Sequence, residues 1–326
     1  MSVPSGTTGS ELAALLRPAA EVLREGGVVA FPTETVYGLG ASALDPAAVE
    51  AVFRAKGRPS DNPLIVHVSD LDGARPLARE VTPLAAKLAG AFWPGPLTLV
   101  LDADRTVPRI TTGGLDTVAV RAPDHAVARE LIRQSGVPLA APSANRSGRP
   151  SPTTAAHVAA DFPAGVDIIV DAGPCAVGIE STVVDCRGRD PVILRPGSIT
   201  AEQLGTATPA ALTGGLPDLA ASPGTRHAHY RPAARVHVAD IGSGPSRVAE
   251  LVEQGTPVGY LGLTPVTDVS GVRILGMPRD TRDLAHLLYA ALRQADDWGL
   301  EDVVIEAVPP IGVGVAVMDR IRRAAG

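Results

Sequence analysis

Two cations and a set of small polar side chains mark the first place in this sequence where chemistry could occur. Lys56 and Arg58 stand two residues apart, followed by Ser60 and Asn62. Cations at a helix C-terminus complement the helix dipole for about 0.3–1 kcal/mol. The same pair would suit a triphosphate, because arginine grips phosphate oxygens bidentately and lysine supplies a point charge. Lys56 and Lys87 are the only lysines, against a strong arginine bias.

Three further runs repeat the theme of hydroxyls beside a buried strand. Phe31-Pro-Thr-Glu-Thr-Val-Tyr-Gly-Leu39 ends an apolar run in a turn carrying two hydroxyls and a carboxylate. Such a turn presents polar groups at a sheet end, where α/β proteins commonly bind ligands, although Thr33 and Thr35 could equally just cap backbone groups. Pro142-Ser-Ala-Asn145, with Arg146-Ser-Gly148 and Ser151 behind it, supplies small hydrogen-bonding groups after another apolar run. Gly178-Ile-Glu-Ser-Thr-Val-Val184 and Leu194-Arg-Pro-Gly197 add polar residues at a strand edge and an arginine before a tight turn. His67, alone on an apolar strand, reads by itself as a core histidine. No G-x-x-x-x-G-K-[ST] loop, no G-x-G-x-x-G after the first strand and no nucleophile-elbow pentapeptide is present, which disfavours the common nucleotide folds and a serine hydrolase.

The elements that must position these groups alternate in type. Helical periodicity runs over Glu11–Glu25 with Ser10 as a possible N-cap, over Pro46–Lys56 after Asp45, and over Val81–Phe92, Asp124–Gln134 and Thr153–Ala160. Short β-like runs lie at 28–31, 64–68, 97–101, 117–120, 137–141, 168–170, 182–184 and 192–194, so an α/β domain with a mixed, helix-covered sheet is expected. Residues from about 206 to 235 have a Gly, Pro, Ala and Thr linker composition. Strands at 236–239, 258–263, 272–275 and 303–306 then alternate with helices at 245–253, 280–296 and 312–325, giving a second, smaller α/β unit. The expected division is 1–205, a linker at 206–235, and 236–326.

Bulk properties narrow the class. At 326 residues, with 45% hydrophobic and 20% charged residues, the chain has a globular balance. No apolar run approaches the ~18 residues that span a bilayer. A net charge of −6 spread over both halves argues against tight nucleic-acid binding. Cys175 and Cys186 lack C-x-x-C spacing, which speaks for a reducing, cytoplasmic setting without structural zinc. Met1–Ser10 is polar and unlike a signal peptide, and reads as a disordered lead-in.

In this order, the Phe31–Leu39 run, Lys56-Gly-Arg-Pro-Ser-Asp-Asn-Pro-Leu64, Pro94-Gly-Pro-Leu-Thr98, Pro142–Gly148, Ile179–Val184 and Leu194–Gly197 closely resemble the YrdC family. The linker end Ser222–Pro232 and the terminal Ala316-Val-Met-Asp-Arg-Ile-Arg322 resemble its longer, two-domain threonylcarbamoyl-AMP synthases. The linker differs from the family pattern in reading Thr225-Arg-His-Ala-His-Tyr-Arg-Pro232 instead of a shorter basic–aromatic run.

The resemblance implies a strongly twisted mixed sheet around a concave, positively lined cavity, followed by a Rossmann-like unit. It implies a nucleotidyltransferase joining L-threonine, bicarbonate and ATP into threonylcarbamoyl-AMP and pyrophosphate, for modification of ANN-decoding tRNAs by a partner complex. Thr35, His67, Arg121, the backbone at Ala141, and Ser181 would take threonine. Arg58, Asn62, Thr117, Ser143, Ser151 and Arg195 would take the nucleotide, with Lys56 and Asn145 at the phosphates and Tyr230 closing over it as part of a lid. Lys56 and Arg58 would stabilise charge in the reaction. Mg²⁺ is expected to accompany ATP, with ligands the sequence does not name and no organic prosthetic group. Two other readings remain at this point: an RNA-binding module without catalysis, and a carbamoyl-adenylate-forming enzyme with another acceptor.

Overall fold

The computed structural model describes residues 1–208, 230–267 and 270–326. Most of the linker assigned to residues 206–235 therefore lies outside the described residues. The first sheet has nine strands: β1 (Val29–Phe31), β2 (Gly38–Ser42), β3 (Ile65–His67), β4 (Leu97–Asp102), β5 (Thr117–Arg121), β6 (Leu139–Ala140), β7 (Ile168–Ile169), β8 (Thr182–Asp185) and β9 (Val192–Arg195). They lie in the order β7-β1-β2-β6-β3-β5-β4-β8-β9, with parallel and antiparallel pairs mixed. Its helices are α1 (Gly9–Arg24), α2 (Pro46–Lys56), α3 (Leu71–Ala74), α4 (Pro83–Phe92), α5 (Ala126–Ser135), α6 (Ala155–Asp161) and α7 (Ala201–Ala207).

Local chemistry explains the best-defined boundaries. The Asp45 side chain accepts from Ala47 N at the start of α2, Pro46 fits the first helical turn, and Gly57 closes the helix at φ 62°. Helix α1 buries Leu12, Leu16, Ala19, Ala20 and Leu23 against Val127, Ala128, Leu131 and Ile132 of α5. Its N-cap position is Thr8 and not Ser10. The lead-in is also ordered: Val3 is buried, and its N–H donates to Asp171 O at 2.7 Å. A sequence search for helical or strand periodicity passes over so short a tether, made by Met1, Ser2 and Val3.

Strand β2 was not among the expected strands; it starts at the end of the Phe31–Leu39 run read as a turn. It reads Gly-Leu-Gly-Ala-Ser and has almost no β-forming residue. The sheet needs the missing side chains, because a Cβ at Gly40 would sit 2.6 Å from Cε1 of the Phe31 ring on the neighbouring strand. Helix α7, also absent from the expected elements, begins with a capping box in which Thr200 and Gln203 satisfy each other's backbone N–H.

The second sheet is wholly parallel. It contains β10 (Arg235–Ala239), β11 (Val258–Leu261), β12 (Val272–Gly276) and β13 (Asp302–Glu306) in the order β10-β13-β11-β12. Helices α8 (Gly244–Val252), α9 (Thr281–Asp297) and α10 (Gly314–Ala325) accompany it. At the carboxyl end of β13 the Glu306 carboxylate accepts from Gly242 N, Thr264 N, Thr264 Oγ1 and Tyr260 Oη, all within 2.6–2.8 Å. The two units share one apolar core. Val36 and Ile179 of the first pack with Leu284, Leu288 and Ile321 of the second. Gly178, at φ 86°, leaves no room for a side chain against the α9 backbone at Ala285 and His286.

Candidate active site

A small cavity of about 60 Å³ opens beside the strand ends of the first unit, with Tyr230 in its wall. Its wall contains Thr35, His67, Arg121, Ala141 and Ser181, the threonine side expected from the sequence, together with Arg58, Ser143, Asn145, Arg195 and Tyr230 of the expected nucleotide side. Residues drawn from more than 190 positions of chain thus meet in one place, and three of them carry guanidinium groups.

The first side rests on the ends of β3 and β5, which run parallel and place His67 beside Arg121. Arg121 donates from Nη1 to Thr35 Oγ1 at 3.0 Å and from Nε to Gly95 O at 3.2 Å. Its Nη2 lies 2.6 Å from Glu34 Oε1, close enough for an ion pair but off the hydrogen-bond direction. Thr35 also shares a 2.8 Å hydrogen bond with Thr33 Oγ1, which donates to Val36 O and so shapes the turn. Burial, with the Arg121 charge adding, pulls His67 down to about 3. The ring is therefore neutral near neutral pH, and its Nδ1 has no hydrogen-bond partner among the described residues. Ser181 shares a 2.8 Å hydrogen bond with Thr98.

On the second side, burial draws Arg58 down to about 10, with the Tyr230 phenol opposing and Arg195 reinforcing the shift. Arg58 Nη2 donates to Pro63 O at 3.1 Å. Arg195 Nη2 donates to Ser181 O at 2.9 Å, a contact made possible because Gly197 brings the Leu194–Gly197 turn directly onto the Glu180–Thr182 backbone. Clustered buried cations of this kind are costly alone and are expected where an anion binds.

Four expected nucleotide residues stand outside the wall. Lys56 is buried behind it, and its ammonium donates to the carbonyls of Ser143 and Asn145, holding their turn. Burial, then the charge of Arg58, lowers its pKa well below the usual lysine value. Ser151 donates to Glu180 at 2.6 Å. Thr117 opens β5 opposite Asp102. Asn62 is buried in the loop after α2, and its carbonyl accepts from Arg58 at 3.4 Å.

Glu34, Glu180, Tyr289 and Arg320 also shape this region and were not singled out from the sequence. Tyr230 has φ 67°, a conformation unfavourable for a side-chain-bearing residue. Its ring stacks on Tyr289 at 5.2 Å and lies 5.7 Å from the Arg320 guanidinium carbon. Arg231 N, next in the chain, donates to Gly148 O at 2.8 Å. Among the described residues no group of three or more His, Cys, Asp or Glu side chains converges as a metal site.

A family model described as "Telomere recombination", for Sua5, YciO and YrdC proteins, matches residues 21–197. A second, "Threonylcarbamoyl-AMP synthase, C-terminal domain", matches 199–326. A threonylcarbamoyl-AMP synthase of Pyrococcus abyssi is 46% identical over 95% of this chain and 94% of its own length. One from Bacillus subtilis is 45% identical over 94% and 92%. The crystal structure of P. abyssi Sua5 complexed with L-threonine superposes with a TM-score of 0.91 at 43% identity, covering 100% of this chain and 97% of that one. The two sheets and these matches along nearly the whole length place the chain in the YrdC family, in its two-domain form, the threonylcarbamoyl-AMP synthases.

Proposed function

We propose that the cavity is where L-threonine, bicarbonate and ATP become threonylcarbamoyl-AMP and pyrophosphate. The observation that carries this reading is the convergence of Arg58, Arg121 and Arg195 on one wall, beside neutral His67 and the hydroxyls of Thr35 and Ser181. Membership of the threonylcarbamoyl-AMP synthases, and the L-threonine held by the P. abyssi relative, support it.

The substrates divide between the two sides. Arg121 holds the threonine carboxylate, with Thr35, His67, Ser181 and the backbone at Ala141 around the rest of the molecule. The amine adds to CO2 or bicarbonate, and an oxygen of the resulting carbamate attacks the α-phosphorus as pyrophosphate leaves. Two anions must approach, so fixed positive charge and positioning are the main requirements. Arg58 and Arg195 face the phosphates. Lys56 contributes its charge one layer back and fixes the turn that presents Ser143 and Asn145. Asn62, Thr117 and Ser151 complete the nucleotide side from behind the wall.

Magnesium enters with the nucleotide as MgATP. The wall offers neutral hydroxyl and amide oxygens and no free carboxylate, because the Glu180 oxygens are already taken. That donor set fits an ion carried mainly on phosphate oxygens. Tyr230, in the cavity wall, acts as part of a lid over the nucleotide and helps exclude water from a readily hydrolysed anhydride.

The product passes to a tRNA-modifying transferase. A reducing cytoplasm suits the two free, buried cysteines; burial raises the Cys175 thiol to about 12. No helix among the described residues is long and apolar enough to cross a membrane.

The decisive assay is pyrophosphate release from ATP with bicarbonate and Mg²⁺, comparing L-threonine, L-serine and no amino acid. Release that requires both threonine and bicarbonate is expected. Threonine-independent release would assign the site to another nucleotide reaction. Salt-sensitive RNA binding without any release would favour a binding module.

A further inference from the structure

Glu180 brings a buried negative charge to the edge of a cavity otherwise lined with arginine. Its carboxylate accepts from Ser151 Oγ at 2.6 Å, from Tyr289 Oη at 2.9 and 3.1 Å, and from Arg320 Nε at 3.1 Å. Two of these three donors belong to the second unit, one on α9 and one on α10. Arg320 is wholly buried, and its Nη1 is anchored to Pro196 O and Asp319 Oδ2, each at 2.8 Å. Pro196 follows Arg195 directly, so one side chain of α10 touches both the carboxylate and the turn that carries the cavity arginine.

A buried carboxylate must have a counter-charge, and two arginines are near enough to serve. Arg195 reaches Ser181 O, the backbone next to Glu180, while Arg320 takes the carboxylate itself. We propose that Arg320 is a positioning residue: by neutralising Glu180 from the second unit, it keeps the Arg195 guanidinium directed at the nucleotide phosphates. Without Arg320, the uncompensated carboxylate draws Arg195 away from the cavity and repels the triphosphate. This gives the second unit a share in the charge balance of the active site, and it rests on the proposed assignment of Arg195 to the nucleotide.

Steady-state pyrophosphate release by the full chain, with KM measured separately for ATP and threonine, tests the idea. Arg320→Gln is expected to raise the ATP KM about 10- to 100-fold, the range for losing one charge-assisted hydrogen bond, and to leave the threonine KM within about threefold. Adding Glu180→Gln to that variant removes the stray charge and is expected to restore most of the ATP affinity. A merely structural role predicts the opposite: the double variant is no better than Arg320→Gln, and both KM values rise together. Tyr289→Phe, which deletes a single hydroxyl donor, should shift the ATP KM in the same direction by a smaller factor and serves if Arg320→Gln does not fold; an unchanged ATP KM in that variant overturns the proposal. Arg195→Ala separates the two levels of inference. If it leaves the ATP KM unchanged, the assignment of Arg195 fails; if it raises that KM while Arg320→Gln does not, the positioning role fails.

Discussion

The ammonium of Lys56 is enclosed by backbone carbonyls of the Ser143–Asn145 turn, whereas Arg58 two residues later faces the cavity with an unsatisfied Nε. Their variants should therefore fail in different ways. Arg58→Ala removes a cavity charge and relieves a buried cation, so threonine-dependent pyrophosphate release should fall about 10²- to 10³-fold with an almost unchanged Tm. Lys56→Met strands buried acceptors and should cost about 2–4 kcal/mol of stability. Chemical denaturation beside the activity assay distinguishes them, and a stable, inactive Lys56→Met would contradict the loop-holding role. The sequence displayed these two cations because a motif of neighbouring residues is local information. It showed Glu180 and Arg320 only inside separate motifs and hid their pairing, because they meet across 140 positions.

At the scale of elements, chain turns decide where the side chains point. The asparagine turn is gripped from three directions: by Lys56, by Asn145 Nδ2 donating to the carbonyls of Arg146 and Arg149, and by Arg293 of α9, which donates to Pro150 O at 2.6 Å and Asp161 at 2.8 Å. The Leu194–Gly197 turn is held by Arg320 at Pro196 O and by close contact with the neighbouring backbone. Gly197→Ala would press a methyl into the peptide between Ser181 and Thr182, so a loss of about 1–3 kcal/mol is expected, together with weaker threonine binding as Ser181 is displaced. Calorimetric titration with threonine and thermal melts measure the two effects; wild-type values for both would show that the turn relaxes freely. Most helices and strands were legible because their apolar periodicity and caps are local, as with Asp45 and Gly57 around α2. Strand β2 was not, because its glycines answer to the Phe31 ring on the neighbouring strand and not to any β-preference of their own.

For the whole molecule, acid should act through histidine. His67 titrates near 6.5 when unfolded and near 3 in the fold, so the unfolded chain binds more protons between these values and stability is lost as pH falls below 6.5. By pH 5 this one group should cost about 2 kcal/mol. Urea denaturation at pH 7 and pH 5 should show a clearly smaller pH dependence in His67→Asn; equal slopes would mean the ring is solvated. In the second unit, meanwhile, the carboxyl ends of the parallel strands are the usual seat of a phosphate in folds of this kind. Glu306 occupies that seat, taking up the Gly242 and Thr264 N–H groups that would otherwise greet an anion. The molecule thus carries its own permanent occupant where a second nucleotide would have docked, and equilibrium titration with a non-hydrolysable ATP analogue should saturate at a stoichiometry of one per chain.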